Sequence, residues 1–299
     1  MSQEIATHFA QVYNTGIDLL SQQMLSETDG TMLVSNDRGE RIYKDQIGSV
    51  RAQEKTTRFD DVPIVGHPHS RRAIDPRDFW LRDSIDSFDK LKVLNDPTNE
   101  YAMSQAAALA READLLAVLA ALGTAKTGKA GATDVTLPAG QIVDSGTTTV
   151  GFTLAKLKQA VRFLKNKHVI RKGMPAELHC YWTSFQEDEF SNTTEVKSID
   201  YNTQRVLVQG GVDEFYKVNF HLLDDYEDNA AGRMLPYDGS TRQCVLWAKT
   251  GVRRNWWLRP QGFVDWLPEK QSFQVGAKMS VGHSRMEEVK VVRIDVAEN

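Results

Sequence analysis

The sequence is short of the groups on which most chemistry depends. Its 299 residues hold only two cysteines, Cys180 and Cys244. Standing so far apart, they read as reduced, buried thiols rather than a disulfide, which points to synthesis in a reducing cytoplasm. Seven histidines are scattered along the chain. None pairs with a plausible nucleophile, and no Gly-x-Ser-x-Gly elbow is present. No apolar run approaches the ~20 residues needed to span a bilayer. The opening MSQEIATHF lacks the basic-then-apolar order of a secretory signal. A formal net charge of −4 gives no global reason to expect nucleic acid as the main ligand.

What is present begins with one long helix, expected over 96–123. Asp96 stands where an N-cap belongs, Pro97 at the first helical position gives up an amide that would be orphaned anyway, and Gly123 closes the run. Its middle is alanine-rich (Ala106 to Ala108, Ala110, Ala113, Ala117, Ala120, Ala121), so other backbone can approach closely. Tyr101, Leu109, Leu116 and Leu119 keep helical spacing along it. A second helix is expected over 153–168, capped by Thr153, with Leu154, Leu157, Val161 and Leu164 on one face. Ile5, Phe9, Val12, Tyr13, Ile17, Leu20 and Met24 suit an amphipathic helix over 3–25, which must find a surface to pack on.

The segment between the first and second of these helices in chain order has little to bury. From Asn36 to about Ile85 it shows short apolar spots interrupted by Pro63, Pro68 and Pro76. Between Arg38 and Arg58 it carries six Lys/Arg against three Asp/Glu. Such a stretch cannot be a compact unit. An extended two-stranded ribbon lying on another surface is its ordered option. Residues 124–150, rich in Gly, Ala and Thr, read as a mobile connection with one short strand near Gln141–Val143. Beyond Glu177 the period shifts towards two, with strands expected at 177–183, 205–210, 214–223, 243–251, 273–282 and 289–296 and a short helix near Ser184–Phe190. The class is α+β.

Several strings invite a chemical reading and fail it. GTAKTGKA at 123–130 is nearly a phosphate-binding loop, but Ala130 stands where a hydroxyl should hold magnesium, and the string leaves a helix instead of joining strand to helix. His67-Pro68-His69 has no companion ligands at a usable spacing. Asp224, Asp225, Glu227 and Asp228 lack the glycine and alternate oxygens of a calcium loop and read as a solvated turn. Arg253-Arg254-Asn255-Trp256-Trp257-Leu258-Arg259 is the one basic–aromatic patch; it could stack bases, or fill a sheet core and a subunit contact, and the second reading is favoured. No active site, metal or cofactor is expected.

The order of elements, a long arm followed by a long rod, resembles the major capsid protein of tailed phages, of the Hong Kong 97 phage type. The similarity rests on Gln22-Gln23, on Arg71-Arg72 with Asp75, and on Ala110-Arg111-Glu112-Ala113-Asp114 inside the rod. GFTLAKLKQA (151–160), VLVQGGVDEFYKVNF (206–220) and VGAKMSVGHSRMEEVKVVRI (275–294) add to it. Gly210-Gly211-Val212-Asp213 with a Tyr216-Lys217 pair departs from the family, whose members tend to place another glycine there, which leaves the strand pairing open at that point. The resemblance implies an N-terminal arm over 1–37, an extended loop over 38–92, and a peripheral domain over 93–173 with 96–123 as spine helix. An axial domain over 174–245 and returning strands of the peripheral domain over 246–299 complete it.

Such a protein is not an enzyme: it self-assembles into hexamers and pentamers that close an icosahedral shell around double-stranded DNA. Implied partners are further copies of itself, a separate scaffolding protein, a portal and a decoration protein, with the shell assembled in the host cytoplasm and no membrane involved. The residues expected at contacts between subunits are Arg38, Arg41, Lys44, Arg51, Lys55, Arg58, Arg71, Arg72, Arg253, Arg254, Trp256 and Trp257. The rival reading is an oligomeric nucleic-acid-binding protein using 253–259.

Overall fold

A computed structural model describes residues 22–58, 64–86, 98–144, 150–171, 173, 176–192, 212–226 and 232–298. The helix expected at 3–25 lies almost wholly outside these residues, as do the cap at Asp96-Pro97 and the strand at 205–210.

The long helix is α1, Thr98–Leu122, roughly 37 Å of rod at 1.5 Å per residue. It ends at Gly123, whose amide donates to Leu119 O at 2.8 Å. A Cβ on Gly123 would stand 2.6 Å from that same oxygen, so only glycine fits the turn. Leu109, Ala113 and Leu116 pack against Ala277, Met279 and Val281 of a long strand. Ala117, Val118 and Ala121 enter the main core. Tyr101 and Leu119, which share the apolar spacing, are 42% and 44% exposed. Part of the buried face is polar instead: Gln105 and Asp114 are both buried.

One four-stranded sheet has the order β1 (Leu33–Ser35), β12 (Val252–Leu267), β13 (Ser272–Arg285), β4 (Arg77–Asp86). Its long β12–β13 hairpin lies along α1. The second sheet, of six strands, runs β7 (Ile142–Val143), β14 (Val291–Ala297), β11 (Thr241–Ala248), β8 (Leu178–Trp182), β10 (Val218–Leu222), β9 (Glu214–Phe215). Central β8 is buried at every residue, so each face must be covered. On one face Trp182 meets Phe152, Phe190 and Phe220, with ring centroids 5.1, 5.5 and 4.1 Å away. On the other, Tyr181 and Trp247 (4.5 Å) are covered by residue 31: Tyr181 OH donates to Thr31 Oγ1 at 2.6 Å and Trp247 Nε1 to Thr31 O at 3.1 Å. The second expected helix is α2, Leu154–Asn166, with Thr153 Oγ1 accepting from the Lys156 amide at 3.4 Å and its expected apolar face buried. The short one is α3, Ser184–Ser191.

The third sheet is the ribbon and its root: β2 (Ile42–Ile47), β3 (His69–Ile74), β5 (Ala125–Thr127), β6 (Thr133–Val135). Here the structure differs from expectation twice. The ribbon is shorter than 38–92, because Pro76, with no amide to donate, separates β3 from β4, and β4 pairs with β13 instead. Residues 124–135 are not a loose connection: Gly128 (φ 93°) and Gly131 (φ 64°) let the chain turn back, and β5 then pairs with the edge that β3 would otherwise leave open. The P-loop-like string is therefore a strand and a hairpin turn.

The expected division at 245/246 runs through the middle of β11. Strand β14 pairs with β11 (Cys244 opposite Ile294, Leu246 opposite Val292), not with β12 or β13. Likewise α2 packs on β14 and β7. Tyr216 and Lys217 close the β9–β10 hairpin with φ of 55° and 63°, the left-handed pair of a two-residue turn, where glycine would cost less. The acidic run, with Asp224 exposed and Asp225 half-buried, also makes bonds where it is described. Asp224 accepts from the Ser184 amide and hydroxyl at 2.7 and 3.0 Å, and Asp225 takes Arg242 Nη1 at 2.8 and 3.0 Å.

Candidate assembly surface

The ribbon leaves the body through a joint built of buried polar groups. Arg72, on β3, points its Nη2 between both oxygens of Glu288, at 2.6 and 2.7 Å, and its Nε donates to Met286 O at 3.0 Å. From the other ribbon strand Gln46 Nε2 donates to the same carbonyl at 2.9 Å. Ile42, Ile74 and Met286 pack together beneath, with Trp257 against them. Behind Glu288 stands Arg285, fully buried, which donates to the carbonyls of Ala121 (2.8 Å), Gly123 (2.6 Å) and Val135 (2.8 Å). Those are the orphan acceptors at the negative end of α1 and the end of β6. Helix, ribbon and the β13–β14 turn are thus tied through one arginine–glutamate–arginine row, Arg285 Nε lying 3.8 Å from Glu288.

A second polar node fastens residues 22–31 to α1. The Asp114 carboxylate accepts from Gln23 Nε2 (2.7 Å), the Glu27 amide (2.8 Å), Thr28 Oγ1 (2.6 Å) and the Ser26 hydroxyl. Arg254 lies 3.8 Å away, hydrogen-bonded to Thr28 Oγ1, and its Nε donates to His283 Nε2 at 2.8 Å. Burial holds the His283 imidazole well below its ordinary pKa, with the Arg254 and Arg77 charges adding to the effect, so it is neutral and can accept. Burial also lowers the Arg254 pKa, against the pull of Asp114 and Asp29. Arg111, one turn earlier, donates to Gln22 Oε1 and Gln23 O at 3.0 and 3.2 Å. Strings that look unrelated in sequence, Gln22-Gln23 and Ala110 to Asp114, are two halves of one contact.

The expected contact residues separate into two groups. Arg41 pairs with Asp75 and donates to Ala130 O, Lys44 pairs with Asp37, and Arg71 pairs with Asp45. Hydrogen bonds from Lys44 and from Arg71 hold the Asp37 and Asp45 carboxyls below their usual range. The guanidinium groups of Arg72 and Arg254 are buried beside carboxylates of their own chain. Arg38, Arg51, Lys55 and Arg58 are exposed and make no ion pair among the described residues. Arg253 is half-buried on β12.

The 253–259 patch is likewise divided. Trp256 packs on the α1–β13 cluster with Arg254 over its ring at 5.3 Å, and Trp257 donates from Nε1 to Gly39 O. Asn255, fully buried, accepts from Ser35 Oγ (2.8 Å) and the Asp37 amide (2.9 Å) and returns a bond to Asp37 O. No continuous stacking face remains there. Cys180 and Cys244 are both free and buried, and burial pushes their pKa upward. Among the described residues no group of three or more His, Cys, Asp or Glu is placed to hold a metal.

Sequence reasoning missed Asp114, Arg285, Glu288, Asn255 and His283 as organising groups. The available signal was a charged residue within an alanine-rich helical run and an Arg at the end of an alternating strand.

Comparison with known proteins agrees with this architecture. The family model described as phage capsid protein matches residues 5–298, and the chain belongs to that family. The fold is that of the Hong Kong 97-type capsid proteins. The capsid of the cyanophage P-SCSP1u superposes with a TM-score of 0.72 at 13% identity, covering 99% of this chain and 95% of that one. The head structure of the Helicobacter pylori bacteriophage KHP40 gives 0.74 at 10% identity, covering 99% and 98%. Mycobacterium phage Che8 gives 0.65 at 11%, covering 96% and 97%. No curated protein matches the sequence.

Proposed function

We propose that this chain is the major capsid protein of a tailed phage, closing as hexamers and pentamers into an icosahedral shell around double-stranded DNA. The observation that carries the reading is the ribbon. Its root is bolted to the body by buried ion pairs, yet beyond that root Ile47 and Ile64 are 68% and 100% exposed. A two-stranded ribbon with apolar side chains in water is marginal alone and gains its order from a second surface. In a closed ring of heterologous contacts that surface is the next subunit.

In this reading 1–37 is the arm and the ribbon within 38–92 the extended loop. The helix α1 with the strands β12 and β13 makes the peripheral part, and the six-stranded sheet with α2, to which β7 and β14 contribute strands from either side of the expected 174–245 range, is the axial part. Arg38, Arg51, Lys55 and Arg58 are the cations available for a neighbour's acidic surface. A separate scaffold, a portal, a decoration protein and packaged DNA are the further partners, with assembly in the host cytoplasm and the virion as destination.

Negative-stain microscopy of the expressed protein, alone and with its scaffold, tests the reading: closed shells or capsomers are expected. A small oligomer that never closes but binds DNA with a steep salt dependence would replace it with the nucleic-acid reading.

A further inference from the structure

Beside α1 runs a groove that the described chain leaves open. It has a volume of about 220 Å³, and Phe79, Trp80, Leu109, Leu115 and Tyr226 supply most of its apolar wall. Trp80 is 66% and Tyr226 45% exposed, which places large aromatic surface in water beside a packed core. Arg111 and Glu112 border the same groove. Burial raises the Glu112 carboxyl above its ordinary pKa, as expected of a carboxylate at the edge of an apolar trough.

The described N-terminal chain begins at this groove. Gln22 is hydrogen-bonded by Arg111, itself a lining residue, and Gln23 is held by Asp114 one turn further along α1. Gln22, where the described chain begins, therefore stands at the groove's rim. The sequence of the 21 residues before it repeats apolar side chains at helical spacing, Ile5, Phe9, Val12, Tyr13, Ile17 and Leu20. They carry Glu4 and Asp18 and no Lys or Arg, whereas Arg111 borders the groove and Arg82 lies 5.2 Å over the exposed Trp80 ring. The apolar pattern matches the trough's wall, and the segment's two carboxylates find Arg111 and Arg82 at its edge, with Glu112 the like charge in the lining.

We infer that the groove is the seat of the chain's own N-terminal segment, residues 1–21, with Ile17 and Leu20 entering first. Reach permits it: Ile17 lies five positions before Gln22, at most about 17 Å of extended chain. Tethering favours the chain's own segment over a free partner, because a short linker gives an effective concentration in the millimolar range. The inference is independent of shell assembly and is read on the subunit itself.

The test is cysteine trapping in the full chain. The Ile17→Cys/Trp80→Cys pair, mildly oxidised and run without reductant, is expected to give a link at monomer mass, identified by its joined peptides. Cys180 and Cys244 are buried and stay out of the reaction. A control pair, Ile17→Cys/Val264→Cys, uses an exposed position far along β12 and should link more slowly. Product at dimer mass would show that a second copy's segment occupies the groove, and linkage no faster than the control would show that the segment does not dock there; either overturns the inference. Independently of cysteine chemistry, Ile17→Asp/Leu20→Asp should raise hydroxyl-radical labelling of the Trp80 peptide several-fold, and unchanged labelling would overturn the inference as well.

Discussion

Nη2 of Arg72 is held by both carboxylate oxygens of Glu288, at 2.6 and 2.7 Å, across 216 positions of sequence. This contact ties the ribbon's root to the turn that leads into β14. Glu288 is shared with Arg285, which in turn satisfies the last carbonyls of α1.

Glu288→Ala is expected to lower stability by about 3 kcal/mol, because it leaves two buried guanidinium groups without a carboxylate. Replacing the pair together, Arg72→Met/Glu288→Met, should recover much of that loss. Denaturant unfolding of the subunit measures both, and limited proteolysis within 48–58 should accelerate in the single variant. Equal midpoints for wild type and Glu288→Ala would count against the joint.

Asp114→Asn keeps the shape of the side chain but removes the charge opposite Arg254. Charge-assisted hydrogen bonds contribute about 1.5–3 kcal/mol each, so a loss of at least that order is expected. Release of residues 22–31 should accompany it, read as faster amide exchange at Glu27 and Thr28, whose amides face the carboxylate.

The ribbon tip is separable from the fold. Gly48 N and Pro68 O already close the two strands at 2.7 Å. Replacing 49–67 by Asn-Gly, a favoured two-residue hairpin turn, should leave the subunit soluble and its unfolding midpoint nearly unchanged, yet abolish closed shells in electron micrographs. Normal shells would remove the ribbon from the assembly mechanism.

Acid should weaken the subunit through its buried imidazoles. His179 Nδ1 and His221 Nε2 stand 3.0 Å apart on neighbouring strands, and burial pulls both pKa values down, His179 to about 4 with the neighbouring His221 adding to the effect. A depressed folded pKa means that the unfolded chain binds the proton first. Stability is therefore complete above the unfolded value near 6.5 and falls between there and about 4. The slope from one such group approaches ~1.4 kcal/mol per pH unit. His179→Gln should flatten that slope in urea titrations at pH 7, 6 and 5.

Much of this architecture was legible before folding was considered. The α1 rod, the Thr153 cap with its apolar face, the strand at 178–182 and the ribbon around 42–74 all follow from spacing, capping residues and proline placement. The site was less legible. Arg72 and Arg254 look like surface cations in a basic stretch, and only their burial shows that they serve the interior. The hairpin at 125–135 was missed because its strands are three residues long and owe their order to the edge of β3, which no local propensity encodes.

The division has a physical cause. Periodicity, caps and turn residues act over a few positions, so the sequence alone settles where rods and strands form and which stripe of each is apolar. A buried charge is different: its cost is set by the group that meets it, and Glu288, Asp114 and the carbonyls at the end of α1 reach Arg72, Arg254 and Arg285 only when segments 140 to 216 positions apart are packed together. Which cations are free for a neighbour, and the angle at which the ribbon is offered to it, are decided at that level alone.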